Sequence, residues 1–166
     1  NDLGLEVKTE IAHTGVVAIL KGSKPGPLVA LRADMDALPV EEMTGLPFAS
    51  KERDIYNGLD VGVMHACGHD AHVAILMGVA EFLTSIKNDL SGDVMFIFQP
   101  AEEGPPVGEE GGAQLMLKEG IWTERKPDVV FGLHVTNAPN GLIAYREGAA
   151  MAAADPWRIT IKGRQA

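Results

Sequence analysis

The chain has 166 residues, of which 46% are hydrophobic, and a formal net charge of -9. That is enough apolar material for one core and, by default, one domain. The acidic balance argues against nucleic acid or an anionic membrane surface as partner, because both call for a basic footprint. A single cysteine excludes a disulfide scaffold, and no stretch approaches the roughly 20 apolar residues of a membrane span.

Residues 1–8 read as the middle of a domain rather than as a leader, so a longer parent protein is expected. Gly15 to Lys21 alternates loosely and runs into Lys21-Gly-Ser-Lys-Pro-Gly-Pro27, which predicts a short strand and a hairpin connection. Leu28 to Ala33 is a nearly continuous apolar run, as expected of a strand covered on both faces. It leads directly into Asp34 and Asp36. The span from Pro39 to Val63 is polar, rich in Gly, Pro and Asp, and long for a purely structural loop.

His65-Ala-Cys-Gly-His-Asp70 follows. Ala71 to Ile86 is apolar around most of its circumference, which predicts a helix buried against a sheet with Asp70 as its N-cap. Asp93 to Gln99 reads as a second buried strand that delivers Glu102 and Glu103, followed by an acidic loop and a short helix over Ala113 to Lys118. Asp128 to His134 reads as a third buried strand with a histidine at its end. Gly141 to Arg146 and Trp157 to Lys162 are further candidate strands, separated by the small-residue run Gly148 to Ala154. Alternating strands and helices imply an α/β fold, its sheet largely parallel or mixed, with helices on both faces.

The hexapeptide concentrates a thiol, two imidazoles and a carboxylate around a glycine. A thiolate with neutral imidazoles suits zinc and similar transition ions. No second Cys-x-x-Cys or His-x-x-x-His pair completes a closed structural shell, so further ligands must come from distant segments. Three apolar strands end in Asp34/Asp36, Glu102/Glu103 and His134, and ligands of open α/β sheets bind at the carboxyl edge of the strands. Taken singly, Glu102-Glu103 also reads as a solvated acidic loop, His134 as a core histidine, Asp34 and Asp36 as turn formers, and Cys67 as a buried free cysteine. Glu109, Glu110, His13 and His65 read as incidental, and His72 as helix packing. Together, the four segments predict a catalytic metal site in which one of two adjacent carboxylates binds metal and the other moves a proton, chemistry suited to amide hydrolysis.

Leu31-Arg-Ala-Asp-Met-Asp-Ala-Leu-Pro39, Met64-His-Ala-Cys-Gly-His-Asp70, Phe98-Gln-Pro-Ala-Glu-Glu-Gly104, Gly111-Gly-Ala113 and Phe131-Gly-Leu-His-Val135 resemble, in order and spacing, the metallopeptidase-related amidohydrolases. That family includes hippurate hydrolases, N-acyl-amino-acid amidohydrolases and auxin-conjugate hydrolases. The resemblance implies a zinc-exopeptidase-like catalytic domain and two divalent metal ions, zinc or manganese, with cobalt or nickel tolerated. It puts Cys67, His69, Glu103 and His134 on metal ligands, Glu102 on the general base, and Asp36 on an aspartate that steadies a ligand.

The implied substrate is a small N-acyl or N-aminoacyl amino acid. The cytoplasm is the expected location, with export left open because the start of the parent protein is not in the chain. A dipeptidase or carbamoyl hydrolase on the same scaffold, and a non-catalytic metal-binding module, are the alternatives. The family is longer than this chain. Residues 1–156 are expected to be the N-terminal part of the catalytic domain, and 157–166 the start of an inserted dimerisation domain through which a homodimer would form. A final histidine ligand would lie beyond the chain, so the fragment alone is expected to be catalytically deficient.

Overall fold

A computed structural model describes residues 2–151, 157 and 159–164. Its main body, residues 1–135, is built on a five-stranded sheet. The strands are β1 (Glu6–Ile11), β2 (Gly15–Lys21), β3 (Lys24–Asp34), β6 (Ser91–Gln99) and β7 (Val129–Gly132), in the spatial order β1-β2-β6-β3-β7. A separate hairpin pairs β4 (Arg53–Tyr56) with β5 (Leu59–Gly62), and the helices among the described residues are α1 (His69–Ser85) and α2 (Gly112–Lys118). β3 pairs in parallel with both β6 and β7, whereas β6–β2 and β2–β1 are antiparallel. The sheet is therefore mixed.

Alternating side chains on the central strands feed two cores. Val17, Leu28, Ala30, Met95 and Ile97 pack against Met116 of α2. Ala18, Leu20, Ala33, Val94 and Phe96 pack against Leu76 and Ala80 of α1. Burial on both faces explains why β6 reads as an unbroken apolar run rather than an alternation. It also confirms helices on both faces of the sheet, one on each.

The β3–α1–β6 crossover carries the chain between two parallel neighbours, as such connections require. Consequently α1 begins near the ends of β3 and β6, where the polar residues of the sequence motifs gather.

Several expectations are corrected. β2 and β3 do not form a hairpin, because β6 lies between them and pairs with both. The N-cap of α1 is Gly68 at φ 82°, with Asp70 in the first turn, where its charge favours the helix dipole. The polar stretch before the hexapeptide contains the β4–β5 hairpin, turned by Asn57 and Gly58 with φ of 51° and 79°. The helix face outside the core is less covered than its composition suggests, with Ile75, Met77 and Phe82 exposed.

Residues 136–166 form the second unit. Among its described residues, Gly141–Arg146 and the candidate strand at Trp157–Lys162 are not strands, the latter without residue 158, which lies outside the description. The expected boundary at residue 156 and the end of the small-residue run also lie outside the described residues. No helix among the described residues is long and apolar enough to cross a membrane.

Candidate metal centre

His69 is the first residue of α1 and is fully buried. Its Nδ1 lies 2.9 Å from Asp36 Oδ1 and 3.0 Å from the Asp36 carbonyl oxygen. Both are acceptors, so Nδ1 carries the proton and donates, leaving the lone pair on Nε2. That atom has no hydrogen-bond partner. Among the described residues it is one of two such buried side-chain atoms, the other being Trp122 Nε1.

What surrounds Nε2 is telling. Asp34 Oδ1 lies 3.8 Å away, Glu102 Oε2 3.9 Å and Glu103 Oε1 4.0 Å, too far for hydrogen bonds. A buried lone pair facing carboxylate oxygens leaves only acceptors in place, an arrangement that a cation would satisfy.

His134, two residues beyond β7, donates from Nδ1 to the carbonyl of Val135 at 2.6 Å. Its Nε2 lies 3.4 Å from Cys67 Sγ. Both histidines thus present Nε2 inward with Nδ1 committed to an oxygen, the arrangement that fixes ligating imidazoles. One ligand atom from each of Cys67, His69 and His134 lies within 4.8 Å of the others, and the same holds for His69, Glu102 and Glu103. His69 is common to both groups.

Cys67 is half-buried, and its thiol is pushed up to about 11. Hydrogen bonding with the Glu103 carboxylate is the largest cause, followed by burial and by the charges of Glu103, Glu102 and Asp34. Without a cation the sulfur keeps its proton at neutral pH; a bound metal would displace it.

The glutamates leave the sheet through a strained turn. Ala101, immediately before them, has φ 48°, a left-handed conformation uncommon for a residue with a Cβ. Beneath it sits Gly112 at φ 64°, where an added Cβ would approach the Ala101 carbonyl oxygen to 2.8 Å. The Gly111-Gly-Ala113 motif therefore lies against the turn that aims Glu102 and Glu103. Asp36 secures the same turn from the other side, since its Oδ2 accepts the Glu103 backbone N–H at 3.0 Å.

Every residue expected at the site, Asp36, Cys67, His69, Glu102, Glu103 and His134, is brought to this edge of the sheet. His13 and His65 are exposed and take no part. Asp34, one of the two strand-end aspartates singled out in the sequence, takes a supporting place, and His72, read there as helix packing, is its partner. Buried Asp34 accepts from Arg32 at 2.7 Å and from His72 Nδ1 at 2.5 Å, and Arg32 also donates to Gln99 at 2.9 Å. His72 is buried too, on the same face as His69, three residues on. That spacing, on a helix with two buried imidazoles, was the available signal.

An open, mixed α/β sheet gathers thiol, imidazole and carboxylate groups that could hold a metal ion near the ends of its parallel strands. The model of Peptidase family M20/M25/M40 matches residues 30–162, and the chain belongs to that family. It is 48% identical over 164 residues to Thermostable carboxypeptidase 1 of Saccharolobus solfataricus, covering 98% of this chain and 38% of that protein. It is 41% identical over 166 residues to the hippurate hydrolase of Campylobacter jejuni, covering 98% of this chain and 39% of that one. Among solved structures it resembles the Bacillus subtilis YXEP protein, described as a dinuclear metal binding peptidase from the M20 family. That match has a TM-score of 0.66 and 41% identity, over 81% of this chain and 34% of the other. The chain thus spans under two fifths of the length of these relatives.

Proposed function

We propose that this chain carries most of the two-ion centre of a hydrolase that cleaves the amide bond of N-acyl amino acids. The observation that carries the reading is the buried, partnerless Nε2 of His69, oriented by Asp36 and faced by carboxylates. Cys67, His69, Glu103 and His134 would hold the ions. The mixture of one thiolate, imidazoles and carboxylate suits zinc or manganese, with cobalt or nickel as substitutes. When bound, such ions polarise the scissile carbonyl and lower the pKa of a water molecule.

The remaining steps belong to the chain's own side chains. Glu102, its side chain 39% exposed and so open to solvent, is the carboxylate that the family resemblance puts on the general base. It takes the proton of the attacking water and returns it to the departing amine. Asp36 fixes the His69 ring and the Glu103 backbone, so that donor positions are set before substrate arrives. The substrate class is supported by relatives named hippurate hydrolase and, in Bacillus subtilis, N-acetylcysteine deacetylase.

Glu102→Ala in the full-length protein tests the assignment. Turnover of N-acyl amino acids is expected to fall by about 10²–10⁴-fold while metal content stays at the wild-type level. Loss of metal would make Glu102 a ligand instead, and unchanged turnover would remove it from the chemistry. A panel of N-acyl amino acids and dipeptides, run on the wild type, separates the amidohydrolase from a dipeptidase.

A further inference from the structure

We propose that His72 is a positioning residue that seats His134, and with it one side of the metal centre, by clamping the neighbouring Val135 to α1. The inference rests on the metal-centre reading above, but none of its contacts involves an ion. His72 Nε2 accepts the backbone N–H of Val135 at 2.9 Å. An N–H donor at Nε2 requires the lone pair there, so the ring proton sits on Nδ1 and is donated to Asp34 at 2.5 Å. Asp34 is in turn gripped by Arg32, and Arg32 by Gln99. The clamp is thus anchored on β3 and β6, the two central parallel strands.

A second contact fixes the same residue sterically. The Val135 side chain lies over Gly68, where an added Cβ would come within 2.4 Å of Val135 Cγ2. Gly68 has φ 82°, so both its conformation and its lack of a side chain are used. The His72 ring also packs against His134, with centroids 4.7 Å apart and planes at 72°. β7 has ended at Gly132, so sheet pairing no longer holds the backbone at His134. Instead, the first turns of α1 fix it through an imidazole and a glycine. The helix that carries His69 therefore also places His134, which couples the two inward-facing imidazoles.

The decisive experiment is zinc binding by calorimetry or competition on full-length wild type, His72→Ala, His72→Gln, His134→Ala and the His72→Ala/His134→Ala pair, with thermal unfolding of each apo protein alongside. His72→Ala is expected to weaken zinc binding about 10–100-fold, the usual cost of losing a residue that orients a ligand. The double variant is expected to bind no more weakly than His134→Ala, because both changes remove the same ligand. Glutamine, whose side-chain oxygen can accept the Val135 N–H, is expected to recover most of the loss. This variant also carries the test if His72→Ala does not fold.

Wild-type affinity in His72→Ala, losses that multiply in the double variant, or a glutamine variant as weak as alanine would each overturn the proposal. A wild type that binds no zinc would overturn the metal-centre reading and this inference together. Zinc binding by the wild type that is insensitive to His72 would overturn this inference alone.

Discussion

Asp34 and Asp36 lie two residues apart at the end of β3, yet they serve different partners. Asp36 holds the His69 ring and the Glu103 backbone, whereas Asp34 holds Arg32 and His72. Burial alone would push the Asp34 carboxyl up. The hydrogen bond from His72 and the charge of Arg32, with smaller contributions from His69 and His72, outweigh burial and hold it below its ordinary value. A carboxyl that is harder to protonate in the folded state contributes stability that is complete above the unfolded pKa and is lost as pH falls through the folded one. Asp34→Asn is therefore expected to cost about 1–3 kcal/mol at neutral pH. The gap to wild type should shrink as pH drops below about 4. Denaturant melts at stepped pH measure this, and a gap that persists undiminished into acid would contradict it. At this scale the donors were legible because Cys67, His69, Glu102 and Glu103 sit in short motifs dense in metal-ligand types. The work of His72 was not, because its partners Asp34 and Val135 lie 38 and 63 positions away.

Turns between elements aim the side chains, and their sequence signals are uneven. Gly112 lies under the Ala101 turn, at a φ that a side chain would strain. Gly112→Ala is expected to cost about 1–3 kcal/mol and, by pushing the Ala101 carbonyl, to weaken metal binding through Glu103. Unfolding midpoints with parallel metal titration check both halves; unchanged metal affinity in a destabilised variant would show that the turn moves independently of the glutamates. The central strands and both helices could be read from apolar runs and their periodicity. The β2–β3 hairpin could not be judged locally, since what separates those strands is β6, some 70 residues later in the chain. The Asn57-Gly58 turn of the β4–β5 hairpin was a readable signal, hidden within a span judged only by its polarity and length.

In the main body, β3 and β6 form the spine that brings the donor segments together. Asp34 pairs with Gln99 in the ladder, so the two strands end level and their extensions reach the same place. β7, the edge strand beside β3, is short and leaves Val130 and Phe131 about half exposed. Next to it, Leu31, Ile75, Leu76, Val79, Phe131 and Leu133 line an apolar groove of about 200 Å³. Sequence order alone could not have ranked these strands. The carboxyl-edge rule for α/β sheets nevertheless led from the strand ends to the site, because it depends on where strands stop rather than on how they are ordered.

The chemistry of the proposed centre depends on the lone pair of His69 being directed at a cation. Elemental analysis of the full-length protein, as purified and after reconstitution with zinc or manganese, beside His69→Ala, is the most direct measurement. Roughly two ions per chain in the wild type, and a clear deficit in the variant, is the expected result. No stoichiometric metal in the reconstituted wild type, or equal metal in His69→Ala, would contradict it.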